Sequence, residues 1–215
     1  MKRFIILGTT ALFLLTGCCK ENKESVSETP NKDPRAVDLG LSVIWASCNV
    51  GANNPEESGD YFAWGEITPK SEYTKENCST YNVAIADFAG NPQYDAAAAN
   101  WGDGWRMPTR WEQKELFNSC TWERITINEV VGMKVTGPNG KSIFLPSAGY
   151  NEDGTPRMVG SYGYYWSSTP GDDFGYLAYG LLIKYDECEY SYRDWCYMGF
   201  TVQLTPCKES YDQPR

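Results

Sequence analysis

The densest gathering of chemically useful side chains lies near the C-terminus. There Tyr185-Asp186-Glu187-Cys188-Glu189-Tyr190-Ser191-Tyr192-Arg193-Asp194-Trp195-Cys196-Tyr197 interleaves rings, carboxylates, a guanidinium and two thiols. Tyrosine and tryptophan bring large contact area with few rotatable bonds, and Asp, Glu, Ser and Arg supply polar partners, a mixture suited to a binding surface. The stretch falls between two expected strands, Leu177 to Lys184 and Phe200 to Thr205, so it reads as a loop or a hairpin end. Its candidate ligand-binding residues are Tyr185, Asp186, Glu189, Tyr190, Tyr192, Arg193 and Trp195. A solvated edge hairpin whose tyrosines pack on the sheet is the other reading of the same residues.

Catalysis finds little support. The chain has no histidine, so general acid–base work would fall to carboxylates or tyrosine. Neither a Gly-rich phosphate loop nor a Gly-x-Ser-x-Gly elbow occurs. We therefore expect no enzyme, no cofactor and no metal. Asp172, Asp173, Asp186 and Glu189 would hold calcium only if their loops converged, and acidic loops are ordinarily just solvated. The formal charge of −9 disfavours nucleic acid as a partner, because acidic surfaces repel phosphate backbones. Of the eight cysteines, Cys48, Cys78, Cys120, Cys188, Cys196 and Cys207 belong to the body of the chain. They suit an oxidising compartment with disulfide bonds, although spacing does not choose their pairing. Cys188 and Cys196 are near enough in sequence to close a local loop.

The N-terminus has the layout of an export signal. Lys2 and Arg3 precede the apolar run Phe4 to Leu15, too short for a spanning helix of about 20 residues but sized as a signal-peptide h-region. It ends in Leu15-Thr16-Gly17-Cys18, which resembles the lipobox of bacterial lipoproteins. On that resemblance residues 1–17 are a signal peptide, and the Cys18 thiol accepts a diacylglycerol carrying chains such as palmitate. Residues 18–35, rich in Lys, Glu, Asn, Ser and Pro, are too polar to bury a core and read as a lipidated flexible linker. Lys20-Glu21-Asn22-Lys23-Glu24 resembles the charged signal that sends Bacteroidetes lipoproteins to the cell surface. The expected location is the outer membrane, lipid-anchored and facing outward. Residues 36–207 have a length suited to one domain, and 208–215 form a tail.

Local signals place the elements that must position the candidate residues. Leu41 to Ala46 alternates as a strand. Asp95 is a natural N-cap for a short helix over Ala96 to Ala99. Thr109 and Glu112 form a capping box that starts a helix running to Cys120, with Leu116, Phe117 and Cys120 facing inward. Gly137-Pro138-Asn139-Gly140 turns a hairpin between Val130–Thr136 and Lys141–Leu145. Trp45, Trp64, Trp101, Trp105 and Trp166 are expected in the core, given the area each buries. Arg106 reads as a half-buried structural arginine beside the helix cap.

Five segments then share a pattern. They are Val37 to Ala52, Gly59 to Glu66, Trp101-Gly102-Asp103-Gly104-Trp105-Arg106-Met107-Pro108-Thr109, Phe144 to Tyr150, and Gly163-Tyr164-Tyr165-Trp166-Ser167-Ser168-Thr169. Together they resemble the Fibrobacter succinogenes major paralogous domain family over roughly Val37 to Pro206. The resemblance implies an α+β, C-type-lectin-like fold of short antiparallel strands, two short helices and long loops. It also implies a surface binding module for an extracellular protein or glycan. Where the family ending looks like Val-Arg-Pro-Val, this chain has Val202-Gln203-Leu204-Thr205, so Gln203 stands in place of the arginine. Some C-type-lectin-like domains carry variable ligand-binding residues in this last stretch. The Glu-Pro-Asn and Trp-Asn-Asp triplets of calcium-dependent sugar binders are absent. A second expectation is a structural or tip subunit of a fimbria-like assembly. A third, formylglycine-generating chemistry, would need Cys188 and Cys196 as its cysteine pair, yet nothing around them matches an active-site motif.

Overall fold

The computed structural model describes residues 33–102, 104–185 and 187–206. The expected signal peptide, Cys18, residues 18–32 of the linker, Asp186, Cys207 and the tail lie outside them. Within these bounds the chain is mixed α and β, mostly short strands in small sheets with two short helices.

Both helices start where their caps require. Helix α1 (Ala96–Trp101) follows Asp95, whose Oδ1 accepts from the Ala97 and Ala98 N–H groups at 2.9 and 3.1 Å. Helix α2 (Arg110–Ser119) opens on the complete Thr109/Glu112 capping box. Leu116 is buried as expected, whereas Phe117 and Cys120 are only half-buried. Gln113 takes the central inward place instead, donating from Nε2 to the Tyr165 and Trp166 carbonyls at 3.3 and 3.2 Å. An apolar periodicity search passes over such a residue.

The strands run β1 (Ala36–Val37), β2 (Trp45–Ala46), β3 (Tyr61–Phe62), β4 (Trp105–Arg106), β5 (Thr121–Ile127), β6 (Val130–Thr136) and β7 (Ser142–Pro146). They continue with β8 (Tyr150–Asn151), β9 (Pro156–Arg157), β10 (Gly163–Pro170), β11 (Leu177–Ile183), β12 (Cys188–Trp195), β13 (Phe200–Thr201) and β14 (Thr205–Pro206). The principal sheet has the order β12-β11-β10-β13-β3, and β5-β6-β7 form a second antiparallel sheet. The β6–β7 hairpin matches its turn signal, but β5 was not anticipated. Its turn, Asn128-Glu129, has φ of 48° and 68°, the double left-handed geometry that Asn-Gly normally signals. Only Trp45 and Ala46 of the expected Leu41–Ala46 strand pair, because the preceding residues bend. Phe200 to Thr205 splits into two short pairings, with β3 and β4.

Two clusters bury the faces of the principal sheet. Adjacent residues of β10 point to opposite sides. Tyr165 enters a cluster with Leu116 of α2, Leu181 and Ile183, and Trp166 enters another with Trp64, Phe62 and Phe200. Trp45, Trp64, Trp105 and Trp166 are core, as expected. Trp101 is half-buried instead, edge-on to Trp105 and capped by the Arg35 guanidinium 3.7 Å above its ring. Gln203 is buried, its Nε2 donating to the Ala46 carbonyl at 3.1 Å and its Oε1 accepting from the Leu204 N–H at 3.2 Å. No helix among the described residues is long and apolar enough to cross a membrane.

Candidate functional site

Of the two readings of this segment the structure shows the edge hairpin: Cys188–Trp195 form strand β12, the edge of the principal sheet, with Tyr190 and Tyr192 packed on its two faces. It pairs antiparallel with β11 in the register Ile183↔Cys188, Leu182↔Glu189, Gly180↔Tyr192, Tyr179↔Arg193, Ala178↔Asp194 and Leu177↔Trp195. One extra residue between Glu189 and Tyr192 makes a bulge. That bulge puts Tyr190 and Tyr192, two positions apart, on opposite faces of the sheet.

A strand sends its side chains to both sides, so the five candidates on β12 do not converge. Tyr190 packs over α2 with its ring 5.3 Å from Phe117. Tyr192 packs on the other face, 5.7 Å from Tyr164, and its hydroxyl donates to Asp194 Oδ2 at 2.5 Å. Burial, and then the Asp194 carboxylate, push this hydroxyl far above its ordinary pKa. Arg193 donates from Nη1 to the Gly171 carbonyl at 3.1 Å, and Glu189 stands 3.8 Å from Lys184 Nζ. Tyr185 is 68% exposed beneath the Arg124 guanidinium, 4.6 Å from its ring. Asp186 lies outside the described residues. Among the candidates on β12, Trp195 carries the most exposed ring.

Cys188 and Cys196 flank β12 at opposite ends, about 26 Å apart for eight extended steps. A disulfide needs Cα atoms within about 7 Å, so the expected local bridge is ruled out. The same separation removes them as an active-site pair.

What the tertiary structure does gather is a row of five rings around the end of β12. Trp195 lies nearly parallel to Tyr197, 6.1 Å away; Tyr197 meets Tyr81 edge-on at 5.7 Å; Tyr81 meets Tyr176 at 5.3 Å; and Tyr176 stacks with Phe174 at 6.3 Å. The two ends are the most exposed, Phe174 at 69% and Trp195 at 45%. Three separate stretches supply the row, and backbone bonds sew them together. The Cys196 N–H donates to the Tyr176 carbonyl at 2.9 Å, and the Asn82 N–H donates to the Gly175 carbonyl at 2.9 Å.

The turn that carries Phe174 and Tyr176 is built around Asp172. Its Oδ1 accepts from the N–H groups of Phe174, Gly175 and Tyr176 at 2.8, 2.8 and 3.2 Å, and its Oδ2 from that of Leu177 at 2.9 Å. Burial raises this carboxyl, but the four N–H groups outweigh it and hold the pKa below the ordinary value. Both oxygens are thereby committed to the backbone. Gly175 sits at φ 79°, and a Cβ there would come 2.1 Å from the Val83 carbonyl oxygen. Only glycine allows that approach.

A cationic cluster adjoins the row. The Arg110 guanidinium lies 3.9 Å over Tyr179 and 4.6 Å from the ring of Trp111, which is 60% exposed. Lys114 stands 5.4 Å from Trp111 and 5.8 Å from Tyr190, and Arg193 5.7 Å from Tyr179. Arg193 and Trp195 fall on the same side of β12, about 6.6 Å apart along the strand. Positive charge thus meets bare rings on one edge of an otherwise acidic chain.

An open cleft of about 420 Å³ lies elsewhere, lined by Gly65, Glu66, Ile67, Thr68, Lys70, Ser79, Gln93 and Tyr94. Its polar groups largely satisfy each other. Glu66 faces Lys70 at 2.7 Å and accepts from the Ser79 N–H and hydroxyl at 2.7 and 2.9 Å.

Tyr81, Phe174 and Tyr176 were missed in the sequence. The available signal was Asp172-Asp173-Phe174-Gly175-Tyr176, a turn-forming Asp and Gly bracketing two aromatics. Comparison with protein-family models, with curated proteins and with solved structures gave no match.

Proposed function

We propose that the chain is a lipid-anchored, surface-facing binding module of C-type-lectin-like fold, akin to the Fibrobacter succinogenes major paralogous domains, and that it engages an extracellular glycan or protein through the aromatic row. The row carries this reading. Exposed large rings gathered on one surface mark interaction sites, and here Phe174 and Trp195 stand exposed at the two ends of a half-buried row whose turn the Asp172 cradle and Gly175 hold in place. Ring faces offer stacking surface, while Arg110, Lys114 and Arg193 offer hydrogen bonds and charge beside them.

The alternative, a structural or tip subunit of a fimbria-like assembly, would draw on the outer edge of β12. The bulge there, with Glu189 and Arg193 on the strand, is of the kind that blunts an edge against added strands. The binding reading is therefore preferred.

Probing glycan and protein arrays with the purified chain tests it. Native protein should bind a defined set of ligands, and Phe174→Ala with Trp195→Ala should abolish that binding at unchanged melting temperature. Equal binding by the double variant would move the site elsewhere. The anchor has its own test. Cys18→Ala should lose labelling by a clickable fatty acid and leave the membrane fraction, and retained label would remove the lipid anchor from this reading.

A further inference from the structure

Cys78 and Cys196 stand 118 residues apart in the chain, yet the fold brings them together beneath the aromatic row. Cys78 Sγ lies 4.0 Å from the Cys196 carbonyl oxygen, and both cysteines are free thiols in the structure. Both belong to the cluster that holds Trp64, Phe88 and Met198. Their surroundings fix them: Cys196 Sγ donates to the Gly175 carbonyl at 3.3 Å, and Cys78 Sγ sits 3.3 Å from the Thr80 hydroxyl. The remaining described cysteines are placed otherwise. Cys48 Sγ donates to the Ala52 carbonyl within its own turn, and Cys120 and Cys188 pack against the opposite cluster.

We propose that Cys78 and Cys196 form a disulfide that clips residues 74–83 to the end of β12, holding Tyr81 against Tyr197. The two cysteines differ in their access to an external oxidant. Cys78 is the more accessible, 8% exposed against 0%. Its thiolate attacks one sulfur of an external disulfide oxidant and displaces the other as a thiolate, giving a mixed disulfide on Cys78. Cys196 then attacks Cys78 Sγ, its proton passing to the departing sulfur. The protein S–S bond forms, the oxidant's second sulfur leaves, and two electrons and two protons have passed from the protein to the oxidant. The pairing rests on geometry; its occurrence in the cell rests also on the export reading above.

The fully reduced chain, incubated with oxidised glutathione, alkylated and digested without reductant, supplies the test. Mass spectrometry should find one peptide joining Cys78 to Cys196, two hydrogens lighter than its parts, with Cys48, Cys120 and Cys188 alkylated. Alkylation of both Cys78 and Cys196, or linkage of either to another cysteine, overturns the proposal. Reduction should lower the melting temperature of the native chain by roughly 5–10 °C. The Cys78→Ser/Cys196→Ser variant should show no such dependence, and an equal fall there would also overturn the clip. Thiol trapping in intact cells separates the two claims. A pair that glutathione closes but that is found reduced in cells keeps the geometry and removes the oxidising compartment.

Discussion

The corner where α2 begins and the edge where β12 ends are both dense in charge and aromatic rings, but they spend them differently. At the corner, Arg106 meets Glu112 through two contacts, Nη1 to Oε2 at 2.8 Å and Nη2 to Oε1 at 2.5 Å. Glu112 Oε2 also accepts from the Thr109 N–H and hydroxyl. Beside it, Asp95 accepts from the N–H groups of Gly90, Ala97, Ala98 and Met107. Every one of these polar groups is consumed inside the fold. At the edge the polar groups are likewise consumed, Asp172 by four N–H groups and Asp194 by Tyr192 and the Trp195 N–H, but Phe174 and Trp195 beside them stay exposed. Residue type alone does not separate structure from surface; what remains unsatisfied or uncovered after folding does.

The largest expected effect belongs to the corner. Glu112→Ala should cost about 3 kcal/mol in urea unfolding, since it deprives a nearly buried guanidinium of its carboxylate and the helix of its cap. A change below about 1 kcal/mol would place the corner with the ordinary surface pairs. A pH titration of the same site sharpens the point. Burial by itself raises the Glu112 pKa, but the Arg106 and Thr109 hydrogen bonds and the Arg106 charge together hold it below the ordinary 4.5. Its stabilisation is therefore complete above that value and is lost as pH falls through the lower folded pKa. The gap in stability between the native chain and Glu112→Gln should narrow on acidification below about 4.5. A gap that stays constant to pH 2 would show that the carboxylate charge does not matter.

At the edge the effects are smaller and fall on different observables. Asp172→Ala should lower stability by about 1–2 kcal/mol, the scale of lost bonds to a charged acceptor, and speed amide exchange at Phe174 to Leu177. Asp172→Asn, which keeps an acceptor oxygen, should be milder; equal damage from both would make the charge rather than the geometry the brace. Phe174→Ala and Trp195→Ala should each stay within about 0.5 kcal/mol of the native chain in thermal melts. A larger fall would show that these rings are packed core, and the contrast with the corner would collapse.

What the sequence determined by itself was local. The Asp95 cap, the Thr109/Glu112 capping box and the Gly137–Gly140 turn are written in residues a few positions apart, because the groups they satisfy are a few positions away. Four of the five motif tryptophans were legible as core for a comparable reason: so much apolar area has few other places to go. Only the tertiary structure decided the rest. The bulge in β12 divided Tyr190 from Tyr192 across two faces of a sheet, although they stand two positions apart. The row of Tyr81, Phe174, Tyr176, Trp195 and Tyr197, and the meeting of Cys78 with Cys196 beneath it, join stretches about a hundred residues apart. Long-range pairings are fixed by how the sheets close and pack, and no spacing along the chain records them.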